Sequence, residues 1–183
     1  MLRGAIKLKG DKSISHRILL FGALVSGRCN IYNLSECKDV QRTINILKKC
    51  NIKIIKKNNQ ITIFQSKIDQ KVKRFYCGNS GTTARLMLGF LPSAGVSGMI
   101  YGDKSLSKRP MQRLVEPLIK MNITIKAIKD NLPIYFEKSQ VMPIDCSINI
   151  PSAQIKTALI FAALSTNSKS YIKDPFYTRN HTE

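Results

Sequence analysis

The stretch GDKSISHRILLFGAL, residues 10–24, joins a small polar turn to an apolar run with helical spacing. A second stretch of this kind, GNSGTTARLMLGFL, occupies residues 78–91, and an offset of 68 places sets Arg17 on Arg85. A third, SAQIKTALIFAAL, occupies residues 152–164, where an offset of 140 sets ILLFGAL on ALIFAAL. Self-similarity at a regular spacing is a fold-level signal. The sequence therefore predicts one structural unit that is used repeatedly.

A further match extends the unit beyond its first helix. QRTINILKKCNIKI, residues 41–54, matches QRLVEPLIKMNITI, residues 112–125, at an offset of 71. We interpret the units as β-α-β-α-β-β, spanning about residues 4–66, 72–138 and 141–183 of a single domain. The last residue, Glu183, corresponds to Thr43 of the first unit, so the third unit is expected to be incomplete. The predicted fold class is α/β (α+β).

Local patterns place the elements within these units. Alternation predicts a strand over residues 4–9, and apolar residues three and four apart predict a helix over 13–25. The other elements predicted in the first unit are a strand at 30–34, a helix at 39–50, and strands at 52–55 and 61–64. In the second unit they are helices at 82–91 and 110–121 and strands at 99–101, 124–128 and 134–136. The third unit offers a strand near Ile148, a helix at 153–164 and a strand at 171–173.

Composition limits the class of protein. A chain of 183 residues with 43% hydrophobic residues can bury a core, and its apolar runs are far too short to span a bilayer. The start of the chain, MLRGAIKLKGDK, has no apolar run of signal-peptide length, so we expect a soluble, cytoplasmic protein. The five cysteines are scattered without a CxxC pair, which favours reduced thiols over a zinc site or a disulfide framework.

The charge balance is strongly basic. The chain has 30 Lys and Arg residues against 11 Asp and Glu residues, which gives a formal net charge of +19. Such a field attracts anions, whether nucleic acid, acidic lipid or phosphorylated metabolites. Part of the excess reflects a composition rich in lysine, isoleucine and asparagine, in which many lysines solvate helix ends and loops. A nucleic-acid-binding protein is an alternative. It is the weaker one, because the chain has no RNP, KH or zinc-finger pattern.

Three small polar turns precede predicted helices: GDKSIS, GNSGTT and PSAQIK. The first turn of a helix presents unpaired N–H groups and the positive end of the helix dipole, so three such turns around one centre would bind an anion. Cations in or near these turns are Lys12, Arg17, Arg85 and Lys156. The alternative is that each turn is an ordinary helix N-cap. The order GDKS does not match a P-loop, which requires Gly directly before Lys.

A second basic segment, GDKSLSKRPMQR at residues 102–113, carries Lys104, Lys108 and Arg109 in a loop that leads to a helix. A solvated basic loop is the alternative interpretation of this segment. By spacing, the chain offers no convincing Ser/His/Asp set, carboxylate pair or metal-ligand cluster. A general acid and a general base are therefore not evident in the sequence.

Taken in order, the motifs GDKSISHR, GNSGTTAR, SLSKRPM, SAQIK and TRNHTE resemble the N-terminal half of the EPSP synthase family, the 3-phosphoshikimate 1-carboxyvinyltransferases. The UDP-N-acetylglucosamine enolpyruvyl transferases are less similar, since they have Lys-Asn where Lys12 and Ser13 stand here. The resemblance implies a domain of repeated units, in an inverse α/β barrel-like arrangement. It also implies transfer of the enolpyruvyl group of phosphoenolpyruvate to the 5-hydroxyl of shikimate 3-phosphate. That reaction is a step towards chorismate and the aromatic amino acids, and it needs no metal or other cofactor.

The resemblance further implies which residues contact the two substrates. The implied ligands of shikimate 3-phosphate are Lys12, Ser13, Arg17, Ser152, Ala153, Gln154 and Arg179. The implied ligands of phosphoenolpyruvate are Lys12, Gly81, Arg109 and Gln154. Asn180 departs from the family pattern, which usually has Asp at that place, and we expect the change to be minor.

Members of this family have two similar domains, with the reaction in the cleft between them and the acid–base carboxylates in the second domain. No catalytic residue is therefore expected in this chain, which resembles the first domain alone. We expect a fragment, a truncated gene product, or one half of a split enzyme that assembles with a separate C-terminal half. A non-catalytic remnant that binds anionic ligands is the alternative.

Overall fold

The computed structural model describes residues 3–6, 8–128 and 130–183. The helices of this part are α1 (Lys12–Leu24), α2 (Lys38–Lys49), α3 (Gly81–Ser93), α4 (Gln112–Lys120) and α5 (Ala153–Ala163). The strands are β1 (Arg28–Tyr32), β2 (Lys53–Lys57), β3 (Gln60–Phe64), β4 (Lys73–Tyr76), β5 (Gly98–Tyr101), β6 (Ile125–Ile128), β7 (Asn131–Phe136), β8 (Asp145–Ser147) and β9 (Tyr171–Lys173). A 3₁₀ turn, Leu106–Lys108, precedes α4.

The order of the elements follows the predicted unit. The second unit is complete, as β4-α3-β5-α4-β6-β7. Its strands form one sheet in the order β4-β5-β7-β6, in which β4 and β5 are parallel and the other neighbours are antiparallel. In the first unit β1-β3-β2 form an antiparallel sheet, and in the third unit β8 and β9 form a parallel pair. The predicted mixed α/β class is confirmed.

The strand predicted over residues 4–9 is wrong for the described residues of that segment, so the first unit begins with α1. Lys7 lies outside the described residues. Ile6 and Leu8 are 88% and 75% exposed, so neither side chain packs on a neighbouring sheet. An alternating pattern forms a strand only where a partner supplies ladder hydrogen bonds and a surface for the apolar face. The pattern alone does not reveal whether such a partner is present.

The three helices that follow the polar turns pack against each other. Almost every side chain of α3 is buried, as expected for a helix that is apolar on all sides. Helix α5 approaches it so closely that a Cβ built on Gly89 would lie 2.1 Å from the carbonyl oxygen of Ala158. Phe161 of α5 extends the contact, with ring centroids 4.7 Å from Phe21 of α1 and 6.2 Å from Phe90 of α3.

The other two helices, α2 and α4, each bury one face. The face predicted for α2 is confirmed by the burial of Val40, Ile44 and Leu47. Helix α4 begins at Gln112, two residues after the predicted start at Pro110. Met111 is the N-cap of this helix, with φ −115° and ψ −13°, so Pro110 precedes the helix instead of opening it.

Buried apolar side chains from all three units form one hydrophobic cluster, which includes Leu19, Phe75 and Phe161. The five cysteines all lie within the described residues and form no disulfide. In the part of the chain that the structure describes, no helix combines the length and the hydropathy that crossing a membrane requires.

Candidate functional site

The starts of α1, α3 and α5 meet at a cavity of about 480 Å³. The lining residues from these helix starts are Ser13, Arg17, Thr82, Arg85, Ser152, Ala153, Gln154 and Ile155. The beginning of α4 adds residues 110–111 and 113–114, and the segment after β9 adds Arg179 and His181. The repeated unit thus brings residues from the whole length of the chain to one place.

Each of the three polar turns also provides a helix N-cap, which was the alternative interpretation of these turns. The cap hydrogen bonds are accepted by Asp11 Oδ1 from the N–H of Ile14 (2.8 Å), by Ser80 Oγ from Thr83 (3.2 Å) and by Ser152 Oγ from Ile155 (3.4 Å). Each cap satisfies one of the unpaired N–H groups of its helix and leaves the positive end of the dipole beside the cavity. Asp11 differs because it is charged, and the bond from the Ile14 amide is the main cause that lowers the pKa of its carboxyl.

Arg17 lines the cavity although it is only 3% exposed. Its guanidinium donates hydrogen bonds of 2.6–3.2 Å to neutral oxygens, those of Ser13, Ala153, Thr157 and Thr182. Among these bonds, Nη1 donates only the one to the carbonyl of Ser13. Because each Nη of a guanidinium carries two N–H groups, these bonds leave one N–H of Nη1 unused. Burial lowers the pKa of this guanidinium. The charges of Glu183 and Asp11 oppose this lowering only in part, so the buried guanidinium would gain from a bound anion.

Two more guanidinium groups meet beside Gly81. A Cβ built on Gly81 would lie 2.8 Å from Nη1 of Arg85 and 3.1 Å from Nη1 of Arg109. Arg85 donates to Gln154 Oε1 at 2.9 Å, and Arg109 donates to the side-chain oxygen of Asn79. Burial, and then the charge of Arg109, lowers the pKa of Arg85. A bound anion would stabilise two like charges that lie this close together. A side chain at position 81 would displace both guanidinium groups.

Lys156 does not add a cation to the cavity, contrary to the expectation from its place near the third turn. It is 5% exposed, and its ammonium lies 3.0 Å from a carboxylate oxygen of Asp174 and 2.6 Å from one of Glu183. These two carboxylates compensate its charge inside the protein. The sequence did not reveal this pairing, because both partners lie well beyond the helix that carries the lysine.

Lys12 lies outside the lining of the cavity, although it directly precedes Ser13. Its ammonium is 3.2 Å from a carboxylate oxygen of Asp39, and its side chain is 51% exposed. An exposed pair of this kind contributes little free energy, so it does not fix the ammonium in place.

Of the residues that the resemblance implies as ligands, those that line the cavity are Ser13, Arg17, Ser152, Ala153, Gln154 and Arg179. Gly81 and Arg109 do not line it, but the guanidinium groups of Arg109 and of the lining residue Arg85 both lie beside Gly81. Polar and charged residues that the resemblance did not imply also line it, namely Thr82, Arg85, Arg113 and His181.

Arg113 is a lining residue for which the sequence did contain a signal. The repeated QR pair sets Arg113 on Arg42 at the offset of 71. A Cβ built on Gly78, in the second polar turn, would lie 2.9 Å from Nε of Arg42. In the same way Arg113 lines the cavity together with residues of the third polar turn. The arginine of α2 thus lies beside the polar turn of the second unit, and the arginine of α4 lines the same cavity as the polar turn of the third unit.

The charge of the cavity favours anions. Four arginines line it, Arg17, Arg85, Arg113 and Arg179, and within the described part of the chain no carboxylate does. The planar fork of arginine matches the geometry of phosphate and carboxylate groups. The arrangement therefore supplies binding and orientation, but not a pair of acid and base groups.

A sequence model of one family, described as EPSP synthase (3-phosphoshikimate 1-carboxyvinyltransferase), matches residues 1–183. The chain belongs to the EPSP synthase family. The resemblance that rested on the five motifs is therefore confirmed.

Individual EPSP synthases agree with this assignment. A curated relative from Oceanobacillus iheyensis, named 3-phosphoshikimate 1-carboxyvinyltransferase, is 40% identical over 187 residues, which cover 100% of this chain and 44% of the relative. A relative of the same name from Thermotoga neapolitana is 36% identical over 183 residues, with 100% of this chain and 44% of the relative covered. The solved EPSP synthase of Acinetobacter baumannii superposes with a TM-score of 0.91 at 32% identity, over 98% of this chain and 42% of that chain. The chain thus spans less than half the length of these EPSP synthases.

Proposed function

We propose that this chain is the shikimate 3-phosphate-binding part of an EPSP synthase. Such an enzyme transfers the enolpyruvyl group of phosphoenolpyruvate to the 5-hydroxyl of shikimate 3-phosphate and releases phosphate. The observation that carries the proposal is the cavity of about 480 Å³ at the three helix starts, which four arginines and no described carboxylate line. Its volume is in the usual range for small-molecule sites, and shikimate 3-phosphate carries a phosphate and a carboxylate that match its charge.

In the proposed complex, Arg179 and Arg17 contribute to the binding of shikimate 3-phosphate in different ways. Arg179 clamps the phosphate as a planar fork. Arg17 stays buried and supplies positive charge together with the remaining N–H of its Nη1. Ser13, Ser152 and the backbone of Ala153 add polar groups from two helix starts.

Phosphoenolpyruvate is proposed to bind next to this ligand, where Arg85 and Arg109 meet at Gly81. An anion there would relieve the repulsion between the two guanidinium groups. Gln154 suits a place between the substrates, because its amide already contacts Arg85 at 2.9 Å and Thr82 at 3.0 Å. Lys12 would join this site by exchanging its contact with the half-buried carboxylate of Asp39 for the ligand.

The reaction needs general acid and base groups that this cavity does not supply. The 5-hydroxyl loses a proton as its oxygen adds to phosphoenolpyruvate, while the methylene carbon gains one, which gives a tetrahedral intermediate. Loss of phosphate and of a proton from the new methyl group then gives the enol ether. General acid and base groups contribute roughly 10²–10⁴-fold to such steps. We place these groups in the part of the relatives that this chain does not cover, whether it is joined to the chain or a separate C-terminal half.

Two expectations follow for the chain by itself. It should turn over little or nothing, because the acid–base groups and the closure around both substrates are missing. We further propose that the reaction uses no metal or other cofactor and that it takes place in the cytoplasm.

Calorimetric titration of the folded chain with shikimate 3-phosphate tests the proposal. We expect saturable binding that is much tighter than the binding of shikimate, which lacks the phosphate. A charged hydrogen bond contributes about 1.5–3 kcal/mol, so Arg17→Ala should weaken the binding by roughly 10- to 150-fold. The matched control Arg28→Ala changes an exposed arginine of β1 and should leave the affinity as it is. A folded chain that binds shikimate 3-phosphate no better than shikimate would contradict the proposal.

A further inference from the structure

Lys156 is a buried lysine with two acidic partners. Its side chain is 7% exposed, and its ammonium lies 3.0 Å from Oδ2 of Asp174 and 2.6 Å from Oε1 of Glu183. Burial alone would lower the pKa of this ammonium, but the hydrogen bonds and charges of the two carboxylates raise it. The lysine is therefore a charged bridge between α5 and the segment that follows β9.

That segment, residues 174–183, carries Arg179 to the cavity. It contains no helix or strand, so side-chain contacts must hold it in place. At its start, the Asp174 carboxylate accepts hydrogen bonds from the backbone N–H of Phe176 at 3.2 Å and of Thr178 at 3.0 Å. Local hydrogen bonds of this kind close a tight turn. The same carboxylate contacts the Lys156 ammonium.

The end of the segment is held by the same ammonium. Glu183 contacts Lys156 there, and the neighbouring Thr182 accepts a hydrogen bond from Nε of Arg17 at 3.0 Å. Arg179 lies between these two points of attachment, where it lines the cavity. One ammonium thus ties both ends of the segment to α5.

We propose that Lys156 is a positioning residue of the anion site, which fixes the place of Arg179 by binding both ends of segment 174–183. The inference rests on the proposed function only for the identity of the ligand, because the contacts of Lys156 are made without one. An ion pair with a purely structural role would stabilise the fold and leave the contribution of Arg179 to binding unchanged.

Hydrogen exchange, measured residue by residue on the whole chain, tests this clamp without any ligand. In Lys156→Met the amides of residues 178–182 should exchange at least about tenfold faster, while amides within α5 keep their protection. Lys156→Arg retains a cation that can reach both carboxylates and should restore the slow exchange. Unchanged exchange at residues 178–182 in Lys156→Met would overturn the proposal.

A milder variant decides the question if Lys156→Met does not fold. Glu183→Gln changes a carboxylate whose side chain is 48% exposed and leaves the Lys156 pair with Asp174 intact. It releases one end of the segment, so exchange at residues 178–182 should quicken severalfold. No change in this variant would equally overturn the proposal.

A double-mutant cycle, read by titration with shikimate 3-phosphate, links the clamp to Arg179. Arg179→Ala and Lys156→Met should each weaken binding by about tenfold, and the double variant by no more than about tenfold, because the lysine acts through the arginine. Lys156→Arg should restore the affinity. A double variant weakened by about a hundredfold, the product of the single effects, would show independent roles and overturn the inference. If the wild-type chain binds no shikimate 3-phosphate, the proposed function fails. The exchange rates then still test whether Lys156 holds segment 174–183 in place.

Discussion

A buried histidine connects the helices that form the cavity. His16 is 0% exposed, and its Nδ1 lies 2.7 Å from the hydroxyl of Thr43. The hydroxyls continue from Thr43 to Thr83 at 3.0 Å and from Thr83 to Ser80 at 2.7 Å. This chain of hydrogen bonds runs from α1 through α2 to the N-cap of α3. The other ring nitrogen, Nε2, has no hydrogen-bond partner among the described residues, so a second proton on the ring would be unsatisfied.

The surroundings of His16 predict a pH dependence of folding. Burial lowers the pKa of His16 from 6.5 to about 4, against the opposing charge of Asp39. Below pH 6.5 the unfolded chain binds a proton that the folded chain does not bind. The free energy of unfolding should therefore fall as the pH drops from 6.5 towards 4, and this group should have no effect above 6.5. The shift corresponds to a loss of about 3 kcal/mol in all.

Urea unfolding between about pH 4.5 and about pH 7.5 measures this dependence. We expect His16→Asn to lose the contribution of His16 to the slope, because the amide can contact Thr43 but does not titrate. His181→Asn replaces the other histidine and serves as the matched control, which separates the contribution of His16 from that of His181. A His16→Asn variant with the same slope as the wild type would contradict the assignment to His16.

At the scale of the elements, the contact between α3 and α5 depends on a glycine. A Cβ on Gly89 would lie 2.1 Å from the carbonyl oxygen and 2.8 Å from the carbonyl carbon of Ala158. Backbone atoms cannot turn away as a side chain can, so an alanine at position 89 would force the helices apart. Gly22 of α1 is a matched comparison, since its Cβ would meet Cδ1 of Ile63 at 2.9 Å, which is the flexible end of a side chain.

We predict that Gly89→Ala lowers the free energy of unfolding by about 1–3 kcal/mol, as overpacking does. The loss should appear although alanine favours a helix over glycine by about 1 kcal/mol. Gly22→Ala should change the stability by less than about 1 kcal/mol, because the higher helix propensity offsets a small movement of Ile63. Urea unfolding of both variants measures the two changes in the free energy of unfolding. Equal stability of the two variants would not fit the close approach of α3 and α5.

The helices were more predictable than the strands. The helix predicted at 153–164 is present as Ala153–Ala163, because an apolar run of that length can satisfy its own backbone hydrogen bonds. The strand predicted at 4–9 needed a neighbour that the described part of the chain does not provide. Strand β4, with the short basic sequence KRFY, was implied only by the repeat of the unit.

At the scale of the whole chain, the repeat of polar turns indicated that distant segments share one site, and the resemblance named its ligands. Six of the residues that it implied as ligands line the cavity. The pairing of charges could not be predicted, since Lys12 with Asp39 and Lys156 with two carboxylates depend on contacts between distant elements. For the same reason the sequence did not show that Arg85 and Arg109 meet at Gly81.

The central claim is that the starts of α1, α3 and α5, together with segment 174–183, bind one molecule of shikimate 3-phosphate. Titration of the isotope-labelled chain, followed through its amide chemical shifts, tests this claim most directly. We predict saturable shifts at Ser13, Gln154 and Arg179 that follow one common binding curve, with no shifts in the hairpin of β2 and β3. Shifts that are absent at these three residues, or that follow separate curves, would contradict a single shared site.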